Sequence, residues 1–197
     1  MEPQASNIYP VISLFKAVIH PKDIATLKLE ARPNRNALFS VNIPDGVLAL
    51  VFYPSDAPST GLPTEPPLPI AVLGRVLSKV TSGHHQEDIV VQGLRRVELN
   101  YVIHHNDSYH DGPHPYDRAV IEELYPEQTT QEHYNLISEV LRFYEKLSKN
   151  HPGFPKDKLA MLQSYQKDPE YFVDLITQIV KIERRRTLSM MREMSTV

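Results

Sequence analysis

The chain has no cysteine, no marked excess of charge of one sign and no long apolar run. Without cysteine there is no disulfide, no thiolate nucleophile and no zinc-finger site, and the chain fits a reducing compartment. Its 21 basic side chains nearly balance 24 acidic ones, which argues against general binding of nucleic acid or membrane surfaces. No segment is long enough to span a bilayer, and residues 1–6 lack the features of a signal peptide. We therefore expect a soluble, cytoplasmic protein.

Two kinds of catalytic motif are also missing. No G-x-x-x-x-G-K-[ST] pattern occurs, which excludes a phosphate-binding loop of that class. Serine and lysine are neighbours at Ser78-Lys79 and Ser148-Lys149, but adjacent side chains on a strand or helix point apart, so neither pair predicts a Ser-Lys dyad. We predict no catalytic residues and no cofactor, and this chain by itself is not expected to be an enzyme.

One segment contains the residue types of a transition-metal site. These residues are His104, His105, Asp107, His110, Asp111 and His114. The segment 106–115 is rich in turn residues and has no i,i+4 spacing that would bring imidazoles together, which favours an ordinary polar loop. We therefore predict no metal site there.

Proline divides the chain into two parts. Fourteen of the 17 prolines lie at or before Pro126, whereas residues 127–197 contain three prolines and one glycine. The first part therefore reads as strands and loops, and the second as helices. The predicted fold class is α+β, with a small, curved, mostly antiparallel β-domain over residues 1–126 and a helical bundle over residues 127–197.

Period-two and unbroken apolar patterns predict the strands of the first part. Short strands are expected at 11–15, 24–29, 47–53 and 117–124, and a long hairpin at 69–80 and 88–102. The run 47–53 is entirely apolar and predicts the most buried strand. In the last hairpin strand the alternation changes phase across Gln92-Gly93, which predicts a kink where glycine accepts an unusual backbone conformation. A bent strand of this kind can serve two parts of a curled sheet.

Helical periodicity dominates the second part. A long amphipathic helix is predicted from about residue 129 to residue 149, followed by helices at 158–165, 169–181 and 182–194. The long helix is expected to have one apolar stripe, formed by Leu136, Ile137, Val140, Leu141, Tyr144 and Leu147. We expect these helices to form one bundle.

The motifs of the hairpin resemble a known family. Segments 73–76 (LGRV) and 90–97 (VVQGLRRV) are similar to the pattern GTV…VxVEGLQRxRI of the amino-terminal domain of Lon, the ATP-dependent protease. Segment 9–21 is similar to the family's opening PxLPLRxxVxFPG, with departures at Ser13 and Lys22. The resemblance covers roughly residues 9–197.

The resemblance implies a PUA-like pseudo-barrel followed by a helical bundle. It also implies capture of unfolded or tagged proteins and their delivery to the ATPase and protease domains of a hexameric parent protein. The parent would be a serine protease with a Ser-Lys dyad, which is absent here. Because the helical pattern reaches the last residues, 194–197, we expect the chain to be truncated at its C-terminal end.

The candidate substrate-binding surface is apolar. Six prolines between residues 54 and 69 predict an extended loop, which carries Leu62 and Leu68 next to Phe52 and Tyr53 at the end of the buried strand. An extended polypeptide could bind beside such a loop. The alternative, at about equal weight, is that these four residues only complete the core.

Two other functions stay open at this point. One is a stand-alone adaptor or ligand-binding module with the same fold. The other is RNA binding, since the Lon-type fold is related to RNA-binding barrels and basic residues cluster at Lys181 and 184–186. Glu183 and Glu193 interrupt that cluster and no aromatic residues interleave it, so a solvated helix face is the preferred interpretation.

Overall fold

The computed structural model shows a mixed α+β chain and describes residues 7–29, 31–55, 63, 65–82, 86–104, 115–124, 129–151, 154–180 and 182–193. The strands are β1 (Asn7–Leu14), β2 (Ile24–Leu29), β3 (Val47–Phe52), β4 (Ile70–Ser82), β5 (Gln86–Ile103) and β6 (Arg118–Glu123). The helices are α1 (Arg32–Ala37), α2 (Gln131–Asn150), α3 (Leu159–Ser164), α4 (Pro169–Ile179) and α5 (Arg184–Glu193). Short 3₁₀ turns occupy Leu38–Ser40 and Lys156–Lys158.

The six strands form one sheet that closes on itself. The strand order is β2-β5-β4-β3-β1-β6, and an additional pairing of β5 with β6 closes a ring of five strands, with β2 paired to the first half of β5 outside that ring. All pairings are antiparallel except that of β1 with β3. The first half of β5 pairs with β2 and its second half with β6. The prediction of a bent strand that serves two parts of a curled sheet is therefore confirmed.

Strand β3 is buried on both of its faces. Leu48, Leu50 and Phe52 belong to one apolar cluster, while Ala49 and Val51 belong to another. Because side chains alternate along a strand, each cluster fills one side of the sheet. The unbroken apolar run thus forms a strand covered on both sides, as predicted.

The kink in β5 is a β-bulge, and its glycine is required for a different reason from the one predicted. The pairing with β4 shifts register between Leu73 and Gly74, where Leu94 is the extra residue. Gly93 does not have a positive φ; a Cβ at this position would instead overlap the backbone carbonyl oxygen of His20. The Gly93 N–H donates to the Asp23 carbonyl (2.9 Å), and the Lys22 N–H donates to the Gly93 carbonyl (2.8 Å). Close approach of a turn, and not an unusual φ, explains the glycine.

Helix α2 organises a separate helical core. Its first turn is capped where the Thr130 N–H donates to His133 Nδ1 at 3.0 Å. On its inner face Ile137 and Tyr144 are buried, and the Tyr144 hydroxyl donates to the Pro155 carbonyl at 2.7 Å. They pack in one cluster with Leu162, Phe172 and Leu175. Among the described residues, no helix combines the length and apolar character needed to cross a membrane.

The predicted single stripe of α2 is divided. Leu141 is partly buried against the helical core, but Leu136 and Val140 are exposed. Leu136 and Val140 each precede a residue that packs on the helical core, Ile137 and Leu141. Because successive residues of a helix point about 100° apart, these neighbours face different directions. The apolar surface of α2 is therefore wider than one buried face, and part of it faces outward.

The chain divides into two compact units that differ from the predicted subdomains at the C-terminal end. Unit 1 contains residues 1–124 and 184–197, and unit 2 contains Tyr125–Glu183. Helix α5 belongs to unit 1 because Leu188 is buried in the sheet cluster and the Arg184 guanidinium donates to the Tyr53 carbonyl at 2.5 Å. Only three of the predicted bundle helices, α2 to α4, form unit 2.

Candidate functional site

Unit 1 contains an open cleft of about 480 Å³. One wall is the proline-rich segment that precedes β4, the other is the end of β5, and Tyr53 lies at the base. The lining residues are Tyr53, Pro63, Glu65, Pro66, Pro67, Leu68, Pro69, Leu99, Asn100, Tyr101, Val102 and His104. The cleft is therefore bordered by proline rings and apolar side chains, with polar groups at a few positions.

Two backbone hydrogen bonds hold the proline wall. The Leu68 N–H donates to the Phe52 carbonyl at 2.9 Å, and the Leu99 N–H donates to the Pro69 carbonyl at 2.7 Å. Leu68 is buried beneath this segment, whereas Pro66 and Pro69 are exposed. Since proline has no N–H, the exposed positions offer rigid apolar surface without backbone donors.

The opposite wall owes its shape to a second bulge in β5. The pairing with β6 shifts register between Leu99 and Tyr101, with Asn100 as the extra residue. The Asn100 side chain donates to the Glu122 carboxylate (2.9 Å), which holds the bulge in place. Tyr101 is 57% exposed. A large aromatic ring therefore stands at the cleft with most of its surface free.

Tyr53 forms the base of the cleft. Its ring stacks on Phe15, with centroids 5.0 Å apart. Burial and, to a lesser extent, the nearby Asp117 carboxylate raise the pKa of Tyr53 to about 12. The phenol therefore stays protonated at neutral pH and is suited to hydrogen bonding, not to acting as a base.

His104 lies at the rim of the cleft beside Asp117. Its Nδ1 is 3.2 Å from an Asp117 carboxylate oxygen, which orients the ring. The other histidines and aspartates considered above as metal ligands lie outside the described residues. Within the described part of the chain, no group of three or more potential metal ligands comes together.

The four predicted substrate-binding residues have different locations. Phe52 is wholly buried in the sheet core and does not line the cleft. Tyr53 and Leu68 do line it, although both are largely buried. Leu62 lies outside the described residues. The structure thus brings two of the four to one cleft and places the third in the core.

Sequence reasoning did not place Tyr101 and His104 at the candidate binding surface. The β4–β5 hairpin contained a usable signal. Its strands pair Ser82 with Gln86 at the turn and Ile70 with Glu98 at the far end, which is the pairing that a regular hairpin without bulges would have. Counting outward from the turn would have placed the proline segment opposite residues 99–104. The two bulges of the hairpin compensate each other, and this could not be known from the sequence.

The serine and lysine pairs do not form dyads. Lys79 binds the Glu87 carboxylate at 2.6 Å. The Ser148 hydroxyl donates to the Glu145 carbonyl, whereas Lys149 binds the Glu145 carboxylate at 2.7 Å. Each lysine ammonium is therefore directed to a carboxylate and not to the neighbouring serine.

The basic cluster of α5 is also divided by its contacts. Arg184 binds backbone carbonyls at the end of β3, so it anchors the helix to the sheet. Arg185 and Arg186 are exposed. One of the three arginines thus has a structural role, which weakens the case for a nucleic-acid patch.

The fold and the cleft define a mixed α+β domain built on a closed sheet with an appended helical unit. Residues 8–197 match the family described as the substrate-binding domain of ATP-dependent protease La (LON). The chain therefore belongs to the family of Lon substrate-binding domains, as the motif resemblance implied.

Two solved structures are similar to this chain. The N-terminal domain of Lon protease from the Mycobacterium avium complex has a TM-score of 0.53 and 13% sequence identity, covering 90% of this chain and 100% of that one. A Lon N-terminal domain protein from Xanthomonas campestris has a TM-score of 0.48 and 12% identity, covering 87% and 98%. At this identity the first likeness shows the fold alone. No match was found among the curated proteins.

Proposed function

We propose that this chain is the non-catalytic substrate-recognition domain of an ATP-dependent Lon protease, which binds unfolded or tagged proteins for degradation. The observation that carries the proposal is the family match over residues 8–197. The parent protein would supply the ATPase and the protease with its Ser-Lys dyad, would act in the cytoplasm and would assemble as a hexamer.

The cleft of unit 1 is the proposed client site. An unfolded protein offers short apolar segments without a fixed sequence, so its receptor needs exposed apolar anchors and few directional polar groups. Tyr101 and the prolines of the opposite wall supply such anchors. Because the cleft is small, each site holds a client weakly, and several copies in one assembly increase the effective affinity.

This assignment revises the proposed role of the predicted residues. Tyr53 and Leu68 shape the cleft from below, whereas the exposed ring of Tyr101 makes the contact with the client. Phe52 has no accessible surface through which to contact a client. Leu62 stays a predicted contact, since it belongs to the same proline-rich segment.

Substitution of Tyr101 tests the client site. We expect Tyr101→Ser to weaken binding of a reduced and alkylated, permanently unfolded protein by about five- to tenfold, as loss of one aromatic anchor does. Binding is measured by fluorescence anisotropy, with the thermal unfolding midpoint recorded for each variant. The matched control is Ile24→Ser, because Ile24 is 64% exposed in the same unit but does not line the cleft.

The outcome separates a specific cleft from general surface stickiness. Equal losses for Tyr101→Ser and Ile24→Ser would show that exposed apolar surface, and not the cleft, binds the client. Unchanged binding in both variants would place the client site elsewhere on the chain.

A stand-alone adaptor or ligand-binding module of the same fold is the alternative. The two proposals share the same cleft. They differ in whether the full-length protein also contains ATPase and protease domains. Sequencing the reading frame beyond Val197 tests it: a nucleotide-binding motif downstream supports the protease, and a stop codon at that point supports the adaptor.

A further inference from the structure

Helix α2 carries an outer apolar stripe that the helical core leaves uncovered. Leu136, Val140 and Phe143 are 53%, 39% and 64% exposed, and we call these three residues the outer stripe. Their spacing of four and three residues places them on one line along the helix, and Leu147, which is half-buried, continues it. Three large apolar side chains in one line on a single helix are typical of a surface that binds another helix.

Charged residues border the outer stripe in an ordered way. Glu132, Glu139 and Lys146 follow each other at intervals of seven residues, so they share one edge of the stripe. The edge is therefore acidic at its N-terminal end and basic at its C-terminal end. Arg142 lies farther round the same side and adds positive charge to the C-terminal half.

This order of charges along α2 favours a second copy of the same helix, in the antiparallel direction, as the binding partner. In a parallel pair the two-fold axis runs along the helices and places this edge of the two copies on opposite sides of the contact, so Glu139 of one copy and Lys146 of the other could not pair. In an antiparallel pair centred on the apolar line from Leu136 to Leu147, Lys146 of each copy lies within one helical turn of Glu139 of the other. Because the arrangement is two-fold symmetric, this favourable pair forms twice.

We propose that the outer stripe of α2 binds the outer stripe of a second copy of this chain in an antiparallel helix pair. The apolar side chains of one copy pack between those of the other, and the Glu139–Lys146 pairs determine the direction. This contact is independent of the cleft, so it does not rest on the proposed client site. Its two-fold symmetry also distinguishes it from the head-to-tail contacts of a ring.

The expected dimer is weak. Three or four side chains per copy cover less than the roughly 800 Å² per partner of a stable standard interface. We therefore expect a dissociation constant on the order of 10 μM to 1 mM, which sedimentation equilibrium of the full 197-residue chain can measure. A chain that stays monomeric up to 1 mM would overturn the proposal.

Charge variants test the surface and its direction together. Phe143→Glu is expected to raise the dissociation constant more than tenfold, whereas the matched control Ile24→Glu, an exposed apolar residue of unit 1, leaves it unchanged. Glu139→Lys alone weakens the dimer, and the double variant Glu139→Lys/Lys146→Glu restores it. Circular dichroism of each variant confirms that the helices are intact. Dimerisation unaffected by Phe143→Glu, or no recovery in the double variant, would contradict the proposed contact.

A distance measurement tests the antiparallel arrangement. Since the chain has no cysteine, Gln131→Cys provides one unique position for a nitroxide label. With a rise of 1.5 Å per residue, the two labelled backbone positions lie about 30 Å apart in an antiparallel pair centred on the apolar line from Leu136 to Leu147. In a parallel pair they lie about 10 Å apart, the separation of two packed helices. Pulsed electron paramagnetic resonance distinguishes these distances, and the short one would overturn the proposal.

Discussion

The sheet of unit 1 and the helices of unit 2 bury their apolar residues in different ways. Strand β3 lies within the sheet and has both faces covered, so its consecutive side chains alternate between two cores. Helix α2 is covered on one side only: Tyr144 is buried, whereas the adjacent Phe143 is largely exposed. Neighbouring apolar residues are therefore both buried in the strand, whereas in the helix one is buried and the next is exposed. Substitutions should follow that difference.

The largest expected difference lies between two phenylalanines. Phe52→Ala removes a wholly buried ring and should lower the free energy of unfolding by about 3–5 kcal/mol. Phe143→Ala makes the same chemical change on the exposed side of α2 and should alter it by no more than about 0.5 kcal/mol. Denaturant unfolding of the monomer measures both. Similar losses in the two variants would contradict the assigned burial.

The bulge of β5 should be the next most sensitive position. Gly93→Val places side-chain atoms against the His20 carbonyl and should cost about 2–3 kcal/mol, because backbone cannot give way as a side chain can. Gly74→Ala is the control, since its added Cβ would meet only the Leu50 side chain, at 3.0 Å. Thermal unfolding should show a clearly larger decrease for Gly93→Val. Equal midpoints would mean that the turn at His20 moves freely.

Tyr53 should make the sheet unit sensitive to high pH. Its pKa is raised to about 12 from an ordinary value of about 10, so the folded state favours the neutral phenol. This contribution is complete below pH 10 and is lost as the pH rises through 12; it amounts to roughly 3 kcal/mol. The free energy of unfolding, measured from pH 8 to 12, should fall less steeply in Tyr53→Phe than in the parent chain. Identical slopes would show that Tyr53 titrates normally.

The smallest expected effect concerns a single hydrogen bond in the helical unit. Tyr144→Phe removes the donor to the Pro155 carbonyl and should cost about 1 kcal/mol. Tyr134→Phe is the matched control, because Tyr134 lies on the same helix and is exposed. Unfolding followed by circular dichroism compares the two variants. A loss as large in Tyr134→Phe would show that the hydroxyl of Tyr144 contributes nothing specific.

Most of the secondary structure could be predicted from local pattern. The bounds of β2 agree with the predicted 24–29, and the predicted run 47–53 differs from β3 by one residue. The long helix predicted from about 129 to 149 is α2, Gln131–Asn150. These predictions succeeded because the period of apolar residues differs between strand and helix, and because prolines mark the ends of both.

The candidate site was less predictable. The proline-rich segment and its neighbour Tyr53 were identified as one side of a binding surface, but the facing residue Tyr101 was not. The two walls are about 30 residues apart in sequence, and only the register of the β4–β5 hairpin brings them together. Phe52 was included because it lies near the end of the apolar run 47–53, and no local pattern distinguishes a buried end of a strand from an exposed one.

By itself, the sequence determined the fold class, the positions of the strands and helices, the kink in β5 and the family. Each of these depends on residue type and spacing over a few positions, and such local patterns are visible in the sequence. The tertiary structure alone decided that α5 packs on the sheet, that Gly93 is required by the His20 carbonyl, and that part of the apolar surface of α2 faces outward. Those outcomes depend on which distant segment covers each surface. Apolar periodicity shows that a face is available for burial, and the packing of the whole chain determines whether it is buried.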